Sequence, residues 1–473
     1  MPPQAKIVEL RLMWVILCVP LGCSPLLACG DDSGPSKSMD AGRRDGGADD
    51  GGYKRPDGGA VLPPRRMIDA AVIEGDPPEE LASENCAVDT NKLYEVATTD
   101  RQPEPSQVAV DQIGSRFGLV YVDKSDTCFD AVYLTTLSGP SSVGEPKVSM
   151  AVDPCAMIER AALARTAGSW LIATVDGRMG AGSVWVQAYD GKKTLTAYNI
   201  TESLGTKSEL AISALGTDAA IVSWVEVALD NMGILSNSLH VRVLSSTGEP
   251  TGDEVELEPL GAYSIAGLTL AQTSDNFVAL GYWRSTTDGT SEIVLDVLDT
   301  VTGARDRDPW VVSPTAGTRG SVDVSADDEG GGMVYSFGDR TAHQLWFQEL
   351  GPDGSAARVK SGLSVGGPAE PSRFVGAPRN AVDASIAKLP TGFAVIYRSL
   401  PGPGLTEPRI HLELLGLTGA QKGGSDIALA NEYGGRTTIE SGFDGRMVVA
   451  WSDTSEDGQT KSTAVKLPCF GGL

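Results

Sequence analysis

The chain has 473 residues, 41% of them hydrophobic, with 62 acidic and 38 basic side chains and a net charge of −24. The apolar content excludes global disorder, and the length exceeds the ~100–200 residues usual for one domain, a limit that repeat-built β folds surpass. Residues 67–473 carry 54 acidic and 29 basic groups, so almost all of the negative charge lies in the body, which argues against nucleic acid as a partner.

In chain order, Lys6 and Arg11 precede an apolar run from Leu12 to Val19, the charged and apolar regions of a secretory signal. Pro20, Gly22 and Pro25 interrupt it, so a membrane-spanning helix fits poorly. The run ends in Leu26-Leu27-Ala28-Cys29-Gly30, which resembles the lipobox of bacterial lipoproteins. The resemblance implies cleavage before Cys29, acylation of its thiol, and a protein exported and anchored to the cell envelope. Gly30, where an aspartate would resemble an inner-membrane retention signal, favours the outer membrane; the leaflet stays open. Each buried acyl methylene adds ~0.8 kcal/mol of membrane affinity.

Residues 30–66 balance seven acidic against seven basic groups in Gly-, Asp- and Pro-rich sequence such as Asp45-Gly46-Gly47-Ala48-Asp49-Asp50-Gly51-Gly52. Such a segment has too little apolar surface to offset its ordering entropy and is expected to be a disordered tether. The domains expected are therefore a signal peptide at 1–28, a tether at 29–83 and a folded body at 84–473. A tether of that length puts the body ~40 Å from its anchor.

Within the body one pattern recurs: a short strand, a turn, a strongly apolar strand ending on an aromatic, a variable loop, an alternating strand and a final strand. The apolar strand is clearest, at 117–121, 170–174, 220–224, 277–282, 332–335, 393–397 and 447–451. Its aligned positions are Tyr121, Thr174, Trp224, Tyr282, Tyr335, Tyr397 and Trp451. Alternating third strands follow at 130–134, 184–188, 239–243, 293–297, 345–349 and 410–414. Four strands per period, seven times over, describe an all-β fold, a seven-bladed β-propeller of four-stranded antiparallel blades. The seventh unit, 437–467, supplies only three strands, and a strand at 92–98 is available to close the ring and remove its open edge.

Four cysteines lie in the body. Cys86 precedes the closing strand and Cys469 follows the last; Cys128 starts the third strand of the first blade and Cys155 ends its fourth. Of the three possible pairings, topology favours Cys86–Cys469 and Cys128–Cys155.

Two residues beyond the aligned aromatics stand Asp123, Asp176, Glu226, Arg284, Phe337, Ser399 and Asp453. Ring closure makes Asp453, Asp123, Asp176 and Glu226 consecutive, a set that could hold Ca2+ or a cationic ligand, although strand ends are commonly polar. His240, His343 and His411 fall at or near the starts of third strands and read as a repeat position rather than a metal triad. No serine elbow, phosphate loop or paired zinc-binding cysteines are found. Residues 455–460 resemble the Asp-box of sialidases with one residue missing between Asp457 and Gly458, and read, like Asp288-Gly289 and Asp353-Gly354, as a turn.

The function expected is a lipid-anchored binding or scaffold module for an unknown protein or glycan, non-enzymatic and monomeric. The alternative is an envelope hydrolase or lyase acting on a polysaccharide or lactone. Fold alone does not choose between them.

Overall fold

A computed structural model describes residues between Tyr94 and Lys466, strands and the tighter turns, with breaks at the longer connections, the widest at 138–147 and 357–371. Cys29, Cys86, Cys128, Cys155 and Cys469 lie outside the described residues, as do the expected signal peptide, tether and domain boundary.

Among the described residues, twenty-eight strands form seven four-stranded antiparallel sheets. The first strand, β1 (Tyr94–Thr99), precedes blade one: β2 (Pro105–Val110), β3 (Phe117–Asp123), β4 (Ala131–Leu137) and β5 (Val148–Met150). Blade two is β6 (Ile158–Arg165), β7 (Trp170–Asp176), β8 (Ser183–Tyr189) and β9 (Thr194–Asn199). Blade three is β10 (Thr206–Leu215), β11 (Ala219–Leu229), β12 (Leu235–Ser245) and β13 (Val255–Gly261). Blade four comprises β14 (Ser264–Gln272), β15 (Phe277–Ser285), β16 (Ser291–Asp299) and β17 (Trp310–Val311). Blade five has β18 (Val322–Asp327), β19 (Gly330–Asp339), β20 (Ala342–Leu350) and β21 (Ser372–Arg373). Blade six has β22 (Ala381–Leu389), β23 (Gly392–Ser399), β24 (Arg409–Gly416) and β25 (Gln421–Leu429). The chain ends with β26 (Thr437–Ser441), β27 (Met447–Thr454) and β28 (Lys461–Lys466).

Blade seven is completed from the other end of the chain. β1 pairs antiparallel with β28, from Tyr94↔Val465 to Thr99↔Lys461, giving the order β1-β28-β27-β26. The first strands pack on one another in succession, β2 on β6, then β10, β14, β18, β22 and β26, and β26 packs back on β2. That circuit closes the seven-bladed ring expected from the repeat and leaves no sheet edge at the join.

Burial explains why the second strands are so apolar. Every residue of β7 and β23 is buried, because a second strand is covered by a blade on each face. Third strands alternate as expected in β8, whereas β16 is buried almost throughout, so alternation is not general. Among the described residues, six apolar cores lie between successive blades, from blades one and two to blades six and seven. Five of the aligned aromatics lie in them, Trp224, Tyr282, Tyr335, Tyr397 and Trp451, and Tyr121 is likewise essentially inaccessible. Truncating such a side chain costs about 3–5 kcal/mol.

A second repeat joins blades three to six each to the one before it, whereas the equivalent Gly191 turn of blade two (φ 90°) meets nothing. The turns between third and fourth strands carry glycines with positive φ: Gly248 (85°), Gly303 (71°), Gly354 (71°) and Gly419 (78°). A Cβ there would meet the preceding blade's third strand, at Val186, Val241, Val297 and Phe347 respectively. Glycine therefore serves twice, permitting the left-handed turn and the close approach. Asp353-Gly354 is one of these turns; Asp288-Gly289 and Asp457-Gly458 lie outside the described residues.

Candidate functional site

The ladders put the seven aligned positions on one rung, each opposite the third strand of its own blade. Trp224 faces His240, Tyr397 faces His411 and Thr174 faces Trp185. Two residues on, at the end where the second strands finish, Asp123, Asp176, Glu226 and Asp453 face Ala131, Ser183, Ser238 and Ser462. The four occupy equivalent ladder positions in their blades. Asp176 and Glu226 are buried; the side chains of Asp123 and Asp453 lie outside the described residues.

Glu226 has its positive charge built in. Lys207, fully buried on β10, brings Nζ to 3.0 Å from Glu226 Oε2. The ammonium also donates to the carbonyls of Ser203 (3.1 Å) and Gly205 (2.7 Å). Glu226 further accepts the Ser203 hydroxyl and the Gly205 N–H at 3.1 Å. A second cation at Glu226 would sit beside that ammonium.

His240 stacks on Trp224 with ring centroids 5.7 Å apart. Its Nε2 lies 2.7 Å from Ser238 Oγ and 3.9 Å from Glu226 Oε2. Nδ1 is 2.8 Å from Glu254 Oε1, close enough for an ion pair but without the alignment of a hydrogen bond. Burial opposes ionisation of Glu254, but His240, the Glu202 N–H and the Lys207 charge outweigh it and hold the carboxyl below its usual range. Glu254 Oε2 accepts that Glu202 N–H at 2.9 Å, while Arg242 donates to Ile200 O (2.8 Å) and Glu202 Oε1 (2.8 Å). The cluster thus clamps the connection from blade two onto blade three. Glu226, His240 and Glu254 place one potential ligand atom each within 4.8 Å of the others. With Lys207 already on Glu226, the donor set suits an internal ion-pair network better than a metal.

Blade six repeats the theme with different groups. His411 stacks on Tyr397, ring centroids 5.0 Å apart. Its Nδ1 is 2.6 Å from Asp426 Oδ1 and its Nε2 2.7 Å from Ser399 Oγ. Burial lowers the His411 pKa, against the pull of Asp426 and with a small further contribution from Arg409. His240 and His411 thus share the repeat position expected of them, whereas His343 faces Gly338, three rungs from the aligned Tyr335. Lys207, Glu254 and Asp426 were missed because first and fourth strands show no clear sequence repeat.

Two carboxyls sit in first strands. Asp323 accepts from Thr269 Oγ1 (2.7 Å), Ser385 Oγ (2.5 Å) and the N–H groups of Ile386 (2.9 Å) and Val324 (3.0 Å), tying β14, β18 and β22 together. Burial raises its pKa against these four donors. Glu440 on β26 is pushed up to about 8, chiefly by burial and further by the Asp323 charge.

No protein-family model matches the sequence, and no curated protein matches it. Many solved structures are loosely similar, three of them as follows. An α-L-arabinanase of Penicillium chrysogenum, complexed with arabinobiose, is 11% identical, with 66% of this chain and 93% of that one covered and a TM-score of 0.43. A protein of unknown function from Dyadobacter fermentans is 10% identical over 79% of this chain and 99% of that one, TM-score 0.43. A Trypanosoma rangeli sialidase in complex with the inhibitor DANA is 11% identical over 68% and 56%, TM-score 0.40. Overlaps this loose carry nothing about ligand or activity.

Proposed function

We propose that the chain is a lipid-anchored cell-envelope protein whose propeller is a binding or scaffold module for a glycan or protein ligand. The observation that supports this is the internal pairing at the end where second strands finish. Lys207 neutralises Glu226, Glu254 and Ser238 fix His240, and Arg242 holds the interblade connection, so these polar groups set the blades. The long connections at the same end, 228–237, 366–380 and 398–408, are then left to vary from blade to blade and carry recognition. The Leu26-Leu27-Ala28-Cys29 sequence supports an acylated Cys29 and, with Gly30, an outer-membrane address.

The test is a pull-down from envelope extract with the full chain, with a glycan array alongside. Saturable capture of one glycan class or one envelope protein supports the reading; no ligand in either format overturns it. Metabolic labelling with an alkyne fatty acid should mark the parent and not Cys29→Ala, and labelling of both would remove the anchor. A second reading, an envelope hydrolase, is favoured by the order Ser399–His411–Asp426 alone.

A further inference from the structure

Blades three and six differ at one informative rung. Where blade three carries Glu226, closed off by Lys207, blade six carries Ser399. The best-placed partner of that hydroxyl is His411 Nε2 at 2.7 Å; its other polar neighbour, the Arg409 carbonyl, is at a long 3.4 Å. Across the imidazole, Nδ1 meets Asp426 Oδ1 at 2.6 Å. An ionised carboxylate only accepts, so Nδ1 carries the proton, Nε2 presents its lone pair, and the Ser399 O–H points at it. Burial favours the neutral imidazole, which is the form that can take a proton.

The surroundings add two elements. Arg409 Nη1 lies 2.5 Å from Asp426 Oδ2, fixing the carboxylate that orients the ring. Arg409 Nε is buried with no hydrogen-bond partner among the described residues, on the residue directly opposite Ser399 in the ladder. Orphaned buried donors are rare, and one beside a hydroxyl nucleophile suits an oxygen that becomes anionic during reaction.

We propose that Ser399 and His411, positioned by Asp426, form a hydrolytic site for carboxylic esters at the end of β23. Ser399 Oγ adds to the ester carbonyl carbon as its proton passes to His411 Nε2. The bond from carbon to the alcohol oxygen then breaks, and the departing alkoxide takes that proton. Water adds to the acyl-serine carbonyl, again giving a proton to Nε2; the bond to Ser399 Oγ breaks, Ser399 recovers the proton, and the carboxylic acid leaves. Ser399 is fully buried, which favours a small acyl group and makes reagent access the decisive test.

The full chain is treated with phenylmethanesulfonyl fluoride, the adduct is located by peptide mass spectrometry, and p-nitrophenyl acetate hydrolysis is followed. The expected result is one adduct, on Ser399, with hydrolysis lost in Ser399→Ala. Asp426→Asn, at a carboxylate nearly half exposed, should keep the melting temperature while lowering the rate at least ~100-fold through the wrong tautomer. The parent's rate should rise with pH to a plateau whose midpoint lies below the usual histidine value of ~6.5. No adduct, an adduct elsewhere, or hydrolysis unchanged in Ser399→Ala overturns the proposal. If Ser399→Ala fails to fold, an unchanged rate in folded Asp426→Asn does so. Failure here leaves the binding reading standing, since the pull-down tests it separately.

Discussion

Glu440 offers a perturbation whose size can be worked from the structure. It lies on β26, between β22 and β2 in the ring, and its one described hydrogen bond is a weak one, from the Ser441 N–H at 3.3 Å. Burial, together with the Asp323 charge, raises its pKa from 4.5 to about 8. Above pH 4.5 the unfolded chain releases a proton that the folded chain keeps. The contribution of this group is therefore most favourable below pH 4.5 and is lost as pH rises towards 8, after which it levels off. The slope is about 1.4 kcal/mol per pH unit, or ~3 kcal/mol of destabilisation at pH 7 relative to pH 4.5. Glu440→Gln keeps the shape and removes the charge. It should unfold at higher urea than the parent at pH 7, by ~2–3 kcal/mol after allowance for relaxation, and match it near pH 4.5. Equal stabilities at pH 7, or a parent-like decline of the Gln variant between pH 5 and 8, would refute the assignment of a half-buried, neutral carboxyl.

Gly419→Ala forces a Cβ to 2.3 Å from the Phe347 ring at φ 78° and should cost about 2–4 kcal/mol in urea unfolding; a neutral result would contradict the blade-to-blade turn contact. Lys207→Met strands Glu226 without its cation and should cost about 3–5 kcal/mol, most of it recovered when Glu226→Gln is added. If the double variant is no better than the single one, the pair is not coupled. Because Lys207 already occupies the charge beside Glu226, millimolar Ca2+ should leave the melting temperature unchanged. A shift that disappears in Asp123→Ala with Asp176→Ala would instead establish a cation site at Asp123, Asp176, Glu226 and Asp453.

The ring was legible because its second strands are buried on both faces. Repeated apolar runs ending on Tyr121, Trp224, Tyr282, Tyr335, Tyr397 and Trp451 survive any change in the loops, and the missing strand of the last unit pointed to the closing segment that became β1. First strands were harder, because a bulge recurs near their start, between Ile158 and Arg160, Lys207 and Leu210, Ala266 and Thr269, and Val382 and Ser385. An extra residue reverses the faces of those before it and erases the period of two. Gly267 and Asp383 take positive φ within two of these bulges. Fourth strands were illegible for another reason: β17 and β21 are two residues long. The row containing Glu226 and Ser399 could therefore be aligned from sequence, while the groups that decide its chemistry could not. Lys207 comes from a bulged first strand, Asp426 from a fourth strand and Glu254 from the residue just before one.

The central claim is a ring of seven blades closed by the N-terminal strand, and electron-microscopy averages of the full chain viewed down the ring test it most directly. Seven lobes around a closed circuit are the result required by the pairing of β1 with β28 and the packing of β26 on β2. Six lobes, eight lobes or an open arc would contradict it.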